Sequence, residues 1–413
     1  MNGWPLLYVP EIPAGYSIPE LRLLNTATKE IETIPQKSEY RLYVCGITPY
    51  DATHLGHAAT YLVFDLIHRY LRATGARVRF VQNITDIDDP LLERAARDSI
   101  TWEELAQSQI DLFRGDMTDL HILPPDFYMG VVESMSLIIS AVQKLIDAGH
   151  TYKVNGDIYF RVHSDPDFGT RSKLSHDQMM EIFRERGGDP DRVGKENPLD
   201  ALVWLAQRPG EPGWESPFGI GRPGWHIECS AIALNFLQSS SDDEYSIDIQ
   251  GGGSDLIFPH HEMSASQSFS ITGKPFSRFY VHAGMVGLDG QKMSKSLGNL
   301  VFVSKIISSG FEPMAIRWAL MKHSYDQDVM WHHSMIESAA AEIEELRECL
   351  SRVDVAPTES VISALISSLS NNLDTAHVVK ELKLWIQETK SGKTGGHAGE
   401  LSRAIDSLLG LAL

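Results

Sequence analysis

Hydrophobic positions in the first part of the chain alternate between strand-like and helix-like spacing. Residues 41–44 form a short apolar run, residues 58–71 carry apolar side chains at helical intervals, and residues 77–83 alternate like a second strand. This order of strand, helix and strand predicts a βαβ unit of the kind that binds nucleotides. Ligands of such open α/β sheets bind at the carboxyl ends of the strands.

Local signals predict the elements that follow. Thr101 and Glu104 have capping-box spacing at the start of a helix that runs to about Leu120. Asn155 and Gly156 lie between alternating residues and predict a hairpin over 152–162. The other elements predicted up to residue 283 are helices over 129–148, 225–237 and 259–270, strands over 245–250 and 278–283, and a glycine-rich strand-to-helix turn over 251–255.

The two ends of the chain differ from this middle part. Residues 1–40 are proline-rich and weakly periodic, which predicts an N-terminal arm with short strands that pack on the main domain. After Phe311 only helical spacing recurs, over 313–321, 333–350, 361–369, 373–388 and 397–409. These segments predict a C-terminal helical stem and bundle.

Length, composition and charge limit the classes of protein to consider. A chain of 413 residues with 43% hydrophobic and 22% charged residues predicts an ordinary globular protein of two or three domains. No apolar run reaches the roughly 20 residues of a membrane helix and no leader is recognisable, so we expect a cytoplasmic protein without membrane contact. Acidic residues outnumber basic ones 55 to 36, which argues against a large polyanion such as tRNA as partner.

Residues 45–57, which read CGITPYDATHLGH, lie between the first strand and the first helix. A turn at this place brings backbone N–H groups and a helix N-terminus to a phosphate. His54 and His57 fall on one face of the first helical turn and can donate to a negatively charged transition state. An isolated HxxH is more often surface decoration, but residues 292–296 read KMSKS. HLGH followed by KMSKS resembles the paired signature of class I aminoacyl-tRNA synthetases.

Four further stretches narrow this resemblance to cysteinyl-tRNA synthetase. They are NITDIDD at 83–89, GRPGWHIECS at 221–230, GGGSD at 251–255 and FPHHE at 258–262. The resemblance implies an α/β fold, a class I synthetase-type Rossmann (HUP) catalytic domain with an insertion domain, followed by a C-terminal helical bundle. The predicted domains are the arm (1–40), the first Rossmann half (41–120), the insertion (121–204), the second Rossmann half with the KMSKS loop (205–300) and the helical stem and bundle without an anticodon-binding domain (301–413).

The resemblance also implies a metal site. Cys45, Cys229 and His260 match three zinc ligands of cysteinyl-tRNA synthetase, although their spacing alone would not identify them. Two thiolates and an imidazole suit one Zn²⁺ and leave a coordination position open. The thiol of free cysteine can take that position, whereas serine offers a harder and far less acidic hydroxyl.

The fourth zinc ligand of the synthetase is a Glu, and this chain has Ser264 at the matching position. A serine is a poor zinc ligand at neutral pH. We therefore expect the substrate thiolate or water to complete the shell, with His261 and Glu262 as alternatives.

Activation of cysteine as cysteinyl-adenylate is the chemistry that the resemblance implies, with ATP as substrate together with Mg²⁺. His54 and His57 would stabilise charge at the reacting phosphate, and Lys292 and Lys295 would hold the leaving phosphates. The residues implied to line the adenylate pocket are Cys45, Gly46, Ile47, Thr48, Thr60, Asn83, Ile84, Thr85, Trp225, Gly253, Ser254, Asp255 and Val281.

Residues 185–190, which read ERGGDP, are not a cysteinyl-tRNA synthetase motif. By spacing alone they would be a polar loop, but they resemble a signature of the ligases that join cysteine to glucosaminyl-inositol in mycothiol biosynthesis. We therefore predict an ATP-dependent, amide-forming ligase that acts on L-cysteine, ATP and glucosaminyl-inositol, as a monomer and without tRNA. The alternatives are a cysteinyl-tRNA synthetase and a non-catalytic paralogue, and the intact HLGH and KMSKS argue against the latter.

Overall fold

The computed structural model describes residues 1, 3–237, 239–288, 290–293 and 298–413, without the side chain of Lys292. Its strands are β1 (Arg22–Asn25), β2 (Glu30–Thr33), β3 (Glu39–Val44), β4 (Arg77–Ile84), β5 (Phe127–Gly130), β6 (Thr151–Val154), β7 (Asp157–Phe160), β8 (Ala201–Ala206), β9 (Gly221–Pro223), β10 (Ile247–Gly253), β11 (Ser277–Ala283), β12 (Val286–Leu288), β13 (Gln291–Lys292) and β14 (Val329–Trp331). Its α-helices are α1 (Leu55–Ala73), α2 (Asp89–Asp98), α3 (Trp102–Asp119), α4 (Met135–Asp147), α5 (His176–Glu185), α6 (Trp225–Phe236), α7 (Glu262–Thr272), α8 (Val303–Ser308), α9 (Pro313–Met321), α10 (His333–Leu350), α11 (Glu359–Ser370), α12 (Thr375–Lys390) and α13 (Ala398–Leu409).

A five-stranded parallel sheet with the order β11-β10-β3-β4-β5 forms the centre of the molecule. The chain adds β4 and β5 on one side of β3, and later adds β10 and β11 on the other. The strand order therefore reverses between β3 and β10, and the crevice at the carboxyl ends of these two strands is where such sheets bind ligands. The predicted α/β fold is confirmed.

An antiparallel sheet with the order β6-β7-β8-β9 lies within the part of the chain between β5 and β10. Its first two strands form the predicted hairpin, and Asn155 and Gly156 at the turn have φ angles of 50° and 94°. The sheet continues to Pro223, whereas β5, which lies inside the range predicted for the insertion, pairs with β4 in the central sheet. The domain boundaries stay a prediction.

Two predicted helices begin later in the structure than expected, and strand β14 was not predicted. The helix expected over 129–148 begins only at Met135, because residues 127–130 alternate in burial and form β5. Helix α7 begins at Glu262 rather than at 259, because Phe258 has extended dihedral angles of −142° and 138°. Strand β14 was not predicted, since its three residues take their conformation from pairing with β12 and are too few for a periodic signal.

The glycines at 251–253 were predicted as turn residues, but they complete β10. They pair with β11 as far as Gly253, opposite Ala283. A Cβ atom on Gly251 would lie 2.1 Å from the ring of Phe64 in α1. Glycine is therefore needed in this strand because helix α1 packs directly against its backbone.

The helices of the C-terminal part match their predicted segments closely, with α9 and α10 at the predicted bounds. A fully buried charge cluster joins this part to α1. Asp65 accepts from Arg69 at 2.8 Å and from Arg317 of α9, and Arg317 also donates to the carbonyl oxygen of Leu409 at 2.7 Å. Although burial opposes ionisation, the two arginines lower the pKa of Asp65 to about 2.

The N-terminal arm contains the hairpin of β1 and β2, as expected. Its Thr26 donates from the backbone N–H to the carbonyl oxygen of Tyr280 at 2.9 Å, which fixes the arm to β11 at the edge of the central sheet. Across the described ranges, none of the helices combines the length and apolarity that would be needed to cross a membrane.

Candidate active site

A cavity of about 300 Å³, here called the adenylate cavity, opens at the carboxyl ends of β3 and β10. Many of the residues predicted for the site meet around it. Those predicted residues that line it are Cys45, Gly46, Ile47, Thr48, His54, His57, Thr60, Trp225, Gly253 and Asp255. The lining does not include Asn83, Ile84, Thr85, Ser254 or Val281.

Asn83 supports the cavity from behind. Its Oδ1 accepts from the backbone N–H of Gly46 at 2.8 Å and from the hydroxyl of Tyr43 at 3.0 Å. A Cβ atom on Gly46 would lie 1.6 Å from the carbonyl oxygen of Asn83. The turn after β3 therefore approaches β4 so closely that only glycine fits at this position.

The HLGH motif begins α1 and faces this cavity. The His54 Nδ1 accepts from the backbone N–H of Gly56 at 3.1 Å, so in the neutral ring Nε2 carries the hydrogen. The rings of His54 and His57 stack with their centroids 3.8 Å apart. A backbone hydrogen bond of 2.8 Å from Leu55 to Val301 ties this helix start to the chain just after the KMSKS motif.

The KMSKS motif is described only in part. Residues Gln291 and Lys292 form β13, which pairs with β12, and Met293 is buried and lines the adenylate cavity. Lys295 lies outside the described residues, as does the side chain of Lys292. Their predicted roles at the leaving phosphates stay predictions.

Cys45, Cys229 and His260 form a buried cluster beside the adenylate cavity. Their ligand atoms all lie within 4.8 Å of one another. The two sulfur atoms are 3.9 Å apart, and Nε2 of His260 lies 3.2 Å from Sγ of Cys229. Two thiols and an imidazole that converge in this way fit a Zn²⁺ ion.

The environment of the cluster acts in opposite directions on its two thiols. Burial raises the pKa of Cys45. Burial would also raise the pKa of Cys229, but hydrogen bonds from Cys45 and His260 lower it well below its usual value. The other ring nitrogen of His260, Nδ1, shares a hydrogen bond of 3.0 Å with His226. Such a bond orients the ring, as partners of metal-bound histidines commonly do.

A second histidine points at the cluster through a chain of hydrogen bonds. The hydroxyl of Thr26 donates to the carbonyl oxygen of Tyr280 at 3.0 Å, so it accepts from Nδ1 of His282 at 2.7 Å. Burial lowers the pKa of His282 to about 3, so this ring is neutral and its Nε2 accepts from Nδ1 of His261 at 2.7 Å. The unprotonated Nε2 of His261 then faces Sγ of Cys45 at 3.2 Å.

The other two alternatives for a fourth ligand are engaged elsewhere. Glu262 accepts from Arg171 at 2.9 Å and from the backbone N–H of Ser172 at 2.8 Å. The Ser264 hydroxyl donates to the carbonyl oxygen of His260, one helical turn earlier, at 2.8 Å. Neither side chain joins the group formed by the two cysteines and His260 in the described part of the chain.

A larger cavity of about 600 Å³, here called the junction cavity, lies between the Rossmann part and the antiparallel sheet. Thr48, Tyr50 and Trp225 line both cavities, so the two adjoin. The indole of Trp225 stacks on the ring of His260 at 4.3 Å and separates the cluster from the open space. The junction cavity draws its lining from distant parts of the chain, including Asp88, Tyr159, Arg186, Asp189, Arg192 and Arg222.

The ERGGDP stretch, 185–190, forms one wall of the junction cavity. The backbone N–H of Gly188 donates to the carbonyl oxygen of Phe183 at 2.8 Å and ends α5. Arg186 reaches across to the carbonyl oxygen of Phe258 at 2.8 Å. The stretch therefore connects the antiparallel-sheet region to the segment that carries His260.

Several residues of the site were missed in the sequence. Thr26 and His282 come from the arm and from β11, and nothing in their local sequence marks them. Arg222 of β9 stood within the GRPGWHIECS stretch but was given no role. His261 was named in the sequence analysis as an alternative metal ligand, only because it follows His260 in the FPHHE stretch. Asp88 stood within the NITDIDD stretch but was given no role.

Comparisons with known proteins agree with this geometry. A family model described as tRNA synthetases class I (C) catalytic domain matches residues 31–341. An L-cysteine:1D-myo-inositol 2-amino-2-deoxy-alpha-D-glucopyranoside ligase of Thermomonospora curvata is 50% identical over 420 residues, with 100% of both chains covered. The ligase of the same name from Streptomyces coelicolor is 48% identical over 417 residues, again with 100% of both chains covered.

Solved structures show the same fold at low sequence identity. Mycobacterium tuberculosis methionyl-tRNA synthetase in complex with methionyl-adenylate has a TM-score of 0.62 at 17% identity, over 91% of this chain and 89% of that chain. The LeuRS–tRNA–LeuAMS complex of Agrobacterium radiobacter K84 has a TM-score of 0.62 at 12% identity, over 92% and 84% of the two chains. With the family model and the full-length relatives, the conclusion is that the chain belongs to the L-cysteine:1D-myo-inositol 2-amino-2-deoxy-alpha-D-glucopyranoside ligase family, within the class I synthetases.

Proposed function

We propose that this protein joins L-cysteine to the amine of glucosaminyl-inositol in two steps, as an ATP-dependent ligase of mycothiol biosynthesis. The observation that carries the proposal is full-length identity of 48–50% to ligases of that name. The thiol cluster beside the adenylate cavity supports it, because a site for a soft metal selects a thiol substrate.

In the first step the carboxylate of cysteine attacks the α-phosphate of ATP, which gives cysteinyl-adenylate and pyrophosphate. His54 and His57 donate hydrogen bonds to the reacting phosphate at the start of α1, where the helix N-terminus adds positive charge. Lys292 and Lys295 hold the leaving phosphates, and Mg²⁺ binds the same phosphates.

The cluster would hold one Zn²⁺ through Cys45, Cys229 and His260. When bound there, Zn²⁺ attracts the thiol of cysteine far more strongly than the hydroxyl of serine. Ser264 and Glu262 make hydrogen bonds elsewhere, and we propose that the substrate thiol rather than His261 takes the fourth position. Selection by thiol chemistry is sharper than selection by size in an apolar pocket.

In the second step the amine of glucosaminyl-inositol attacks the activated carbonyl carbon and AMP leaves. The acceptor is a small molecule, and we propose that the enzyme works as a monomer and without tRNA. The net charge of −19 supports this choice of acceptor.

The test is AMP release by zinc-loaded protein given ATP and cysteine, with glucosaminyl-inositol or tRNA added. We expect stimulation by the amino sugar alone, with a cysteinyl amide detected by mass spectrometry. Stimulation by tRNA alone would instead favour a cysteinyl-tRNA synthetase. Absence of ATP–pyrophosphate exchange by the zinc-loaded protein would favour a non-catalytic paralogue.

A further inference from the structure

We propose that the junction cavity holds the amino-sugar acceptor and that the carboxylate of Asp88 removes the proton from its amine. This inference rests on the proposed ligase function. It assigns a base to the second step and a binding place to the acceptor.

The position of the junction cavity suits an acceptor. Its volume of about 600 Å³ lies within the range of small-molecule sites. Thr48, Tyr50 and Trp225 border it on one side and the adenylate cavity on the other. A ligand that fills the junction cavity can therefore place one end against the activated carbonyl of an adenylate bound in the adenylate cavity.

Asp88 has one carboxylate oxygen to offer to a ligand there. The residue is the N-cap of α2, and its Oδ1 accepts from the backbone N–H of Asp89 at 2.8 Å. Oδ2 accepts no hydrogen bond from any residue that the structure describes. The cap fixes the carboxylate in place and leaves the second oxygen for an ammonium group.

Arg222 adds a buried positive charge to the lining of the junction cavity. Arg222 is only 6% exposed, and one of its terminal nitrogens pairs with Asp89. Its Nε is buried and has no hydrogen-bond partner among the described residues. Its guanidinium group is thus only partly used by the described residues, and Arg222 is one of the residues that line the junction cavity.

Another part of the lining of the junction cavity is a hydrogen-bonded set of polar and aromatic groups. The hydroxyl of Tyr159 donates to Asp189 of the ERGGDP stretch and accepts from Arg192 at 2.7 Å, and Asp189 also accepts from Lys195 at 3.0 Å. Such preorganised polar groups suit a ligand with many hydroxyls. The position of this wall explains why the stretch belongs with an amino-sugar acceptor.

The charges that face Asp88 give its carboxylate a suitable basicity. Burial, helped by the charges of Asp89 and Glu93, raises the pKa of Asp88 to about 6, although the Asp89 backbone N–H and Arg222 oppose this rise. A base whose pKa lies just below the working pH is both ionised and able to hold a proton.

In the proposed transfer step the amine gives up two protons and AMP is the leaving group. The acceptor enters as an ammonium ion, and Asp88 takes one proton, which leaves the amine lone pair free. The nitrogen then forms a bond to the carbonyl carbon of cysteinyl-adenylate, and the bond from that carbon to the phosphate oxygen breaks. AMP departs with the electron pair of that bond, and the second ammonium proton goes to solvent through the departing phosphate.

The decisive variant is Asp88→Asn, because Asn caps a helix as well as Asp does. ATP–pyrophosphate exchange reports the first step alone, and single-turnover transfer from preformed cysteinyl-adenylate reports the second. We expect exchange within about twofold of the wild type and transfer to glucosaminyl-inositol reduced by roughly 100-fold, the usual effect of losing a general base. Transfer to hydroxylamine, which is largely unprotonated at neutral pH, should be unchanged.

Asp374→Asn is the matched control, since the Asp374 carboxylate also caps a helix, α12 in the C-terminal part, by accepting from a backbone N–H. This variant should change neither step.

In the wild type, transfer to glucosaminyl-inositol should fall as the pH drops through about 6. In Asp88→Asn this fall should move to the higher pH at which the free amine itself becomes protonated.

Unchanged transfer in Asp88→Asn, or an equal loss of exchange and transfer, would overturn the role of Asp88. If the wild type shows no stimulation by glucosaminyl-inositol at all, the proposed function fails as well. The two failures are therefore distinguished by the wild-type protein alone.

Discussion

The adenylate cavity and the junction cavity touch each other but are built in different ways. The adenylate cavity is formed by backbone at the ends of two neighbouring strands, with Gly46 and Gly253 in its lining. The junction cavity is enclosed by side chains from distant segments. Bridges such as Arg186 to the carbonyl oxygen of Phe258 hold these segments together.

This difference indicates how the two half-reactions can vary. In the proposed mechanism the phosphates are bound at the start of α1 by the HLGH and KMSKS side chains, next to backbone groups and a helix end that the fold itself provides. The proposed acceptor site instead depends on side chains that can be replaced without changing the sheet. If the two cavities serve separate half-reactions, a substitution in one of them should impair only the step that takes place there.

The largest effect is expected for Cys229→Ser, which removes a ligand atom from the cluster beside the adenylate cavity. Metal content should be lost, and ATP–pyrophosphate exchange with cysteine should fall by more than ~100-fold, beyond the usual effect of changing an outer-shell partner. Cys349→Ser is the matched control, because Cys349 is equally buried but lies in α10. Ser264→Ala should also keep its metal, and normal metal content in Cys229→Ser would contradict the assignment.

A second large effect is expected for Gly46→Ala. The added Cβ would lie 1.6 Å from the carbonyl oxygen of Asn83, so the turn after β3 must move by about an ångström. A displacement of that size at a reacting centre costs roughly 100-fold in rate. Exchange should fall accordingly, whereas Gly115→Ala, where a Cβ meets nothing within 4 Å, should leave it unchanged. Equal exchange in both variants would show that the turn is not part of the site.

The parts of the fold that the sequence predicted well are those that depend on neighbours along the chain. The capping box of Thr101 and Glu104 and the hairpin turn at Asn155 and Gly156 both formed as predicted. Helical periodicity placed α9 and α10 at their observed bounds. Each of these features is determined by residues a few positions apart.

Features that depend on distant contacts were mispredicted or missed. The glycines at 251–253 suggest a turn until one knows that Phe64 packs against them. The orientation of His261 follows from His282 and Thr26, which lie in other strands and loops. Of the candidate site, the motifs predicted the adenylate cavity and the cluster. The ERGGDP stretch was also singled out, but the other walls of the junction cavity could not be foreseen, because side chains far apart in sequence form them.

A smaller effect is expected from the hydrogen-bond chain behind the cluster. His282→Ala leaves Nδ1 of His261 without its acceptor, so the ring that faces Cys45 is no longer held in one orientation. Changes in such outer partners typically weaken metal affinity by about 10- to 100-fold. Competition with a chromophoric chelator measures this directly, with the exposed His333→Ala as control. Unchanged affinity in His282→Ala would show that His261 does not influence the cluster.

The smallest effect separates the two cavities most cleanly. Ser175 caps α5, whose end carries the ERGGDP wall of the junction cavity, and accepts from the backbone N–H of Gln178 at 3.3 Å. Ser175→Ala should cost about 1 kcal/mol of helix stability. Because α5 then frays more often, the KM for the amino sugar should rise by up to about fivefold, while ATP–pyrophosphate exchange stays constant.

Asp374→Ala removes the cap of α12 at a similar cost but far from either cavity, and it should leave both quantities unchanged. If Ser175→Ala instead lowers exchange and leaves the KM for the amino sugar unaltered, then α5 supports the adenylate cavity. The division of the two half-reactions between the two cavities would then be wrong, since a local loss in the acceptor wall would have acted on the activation step.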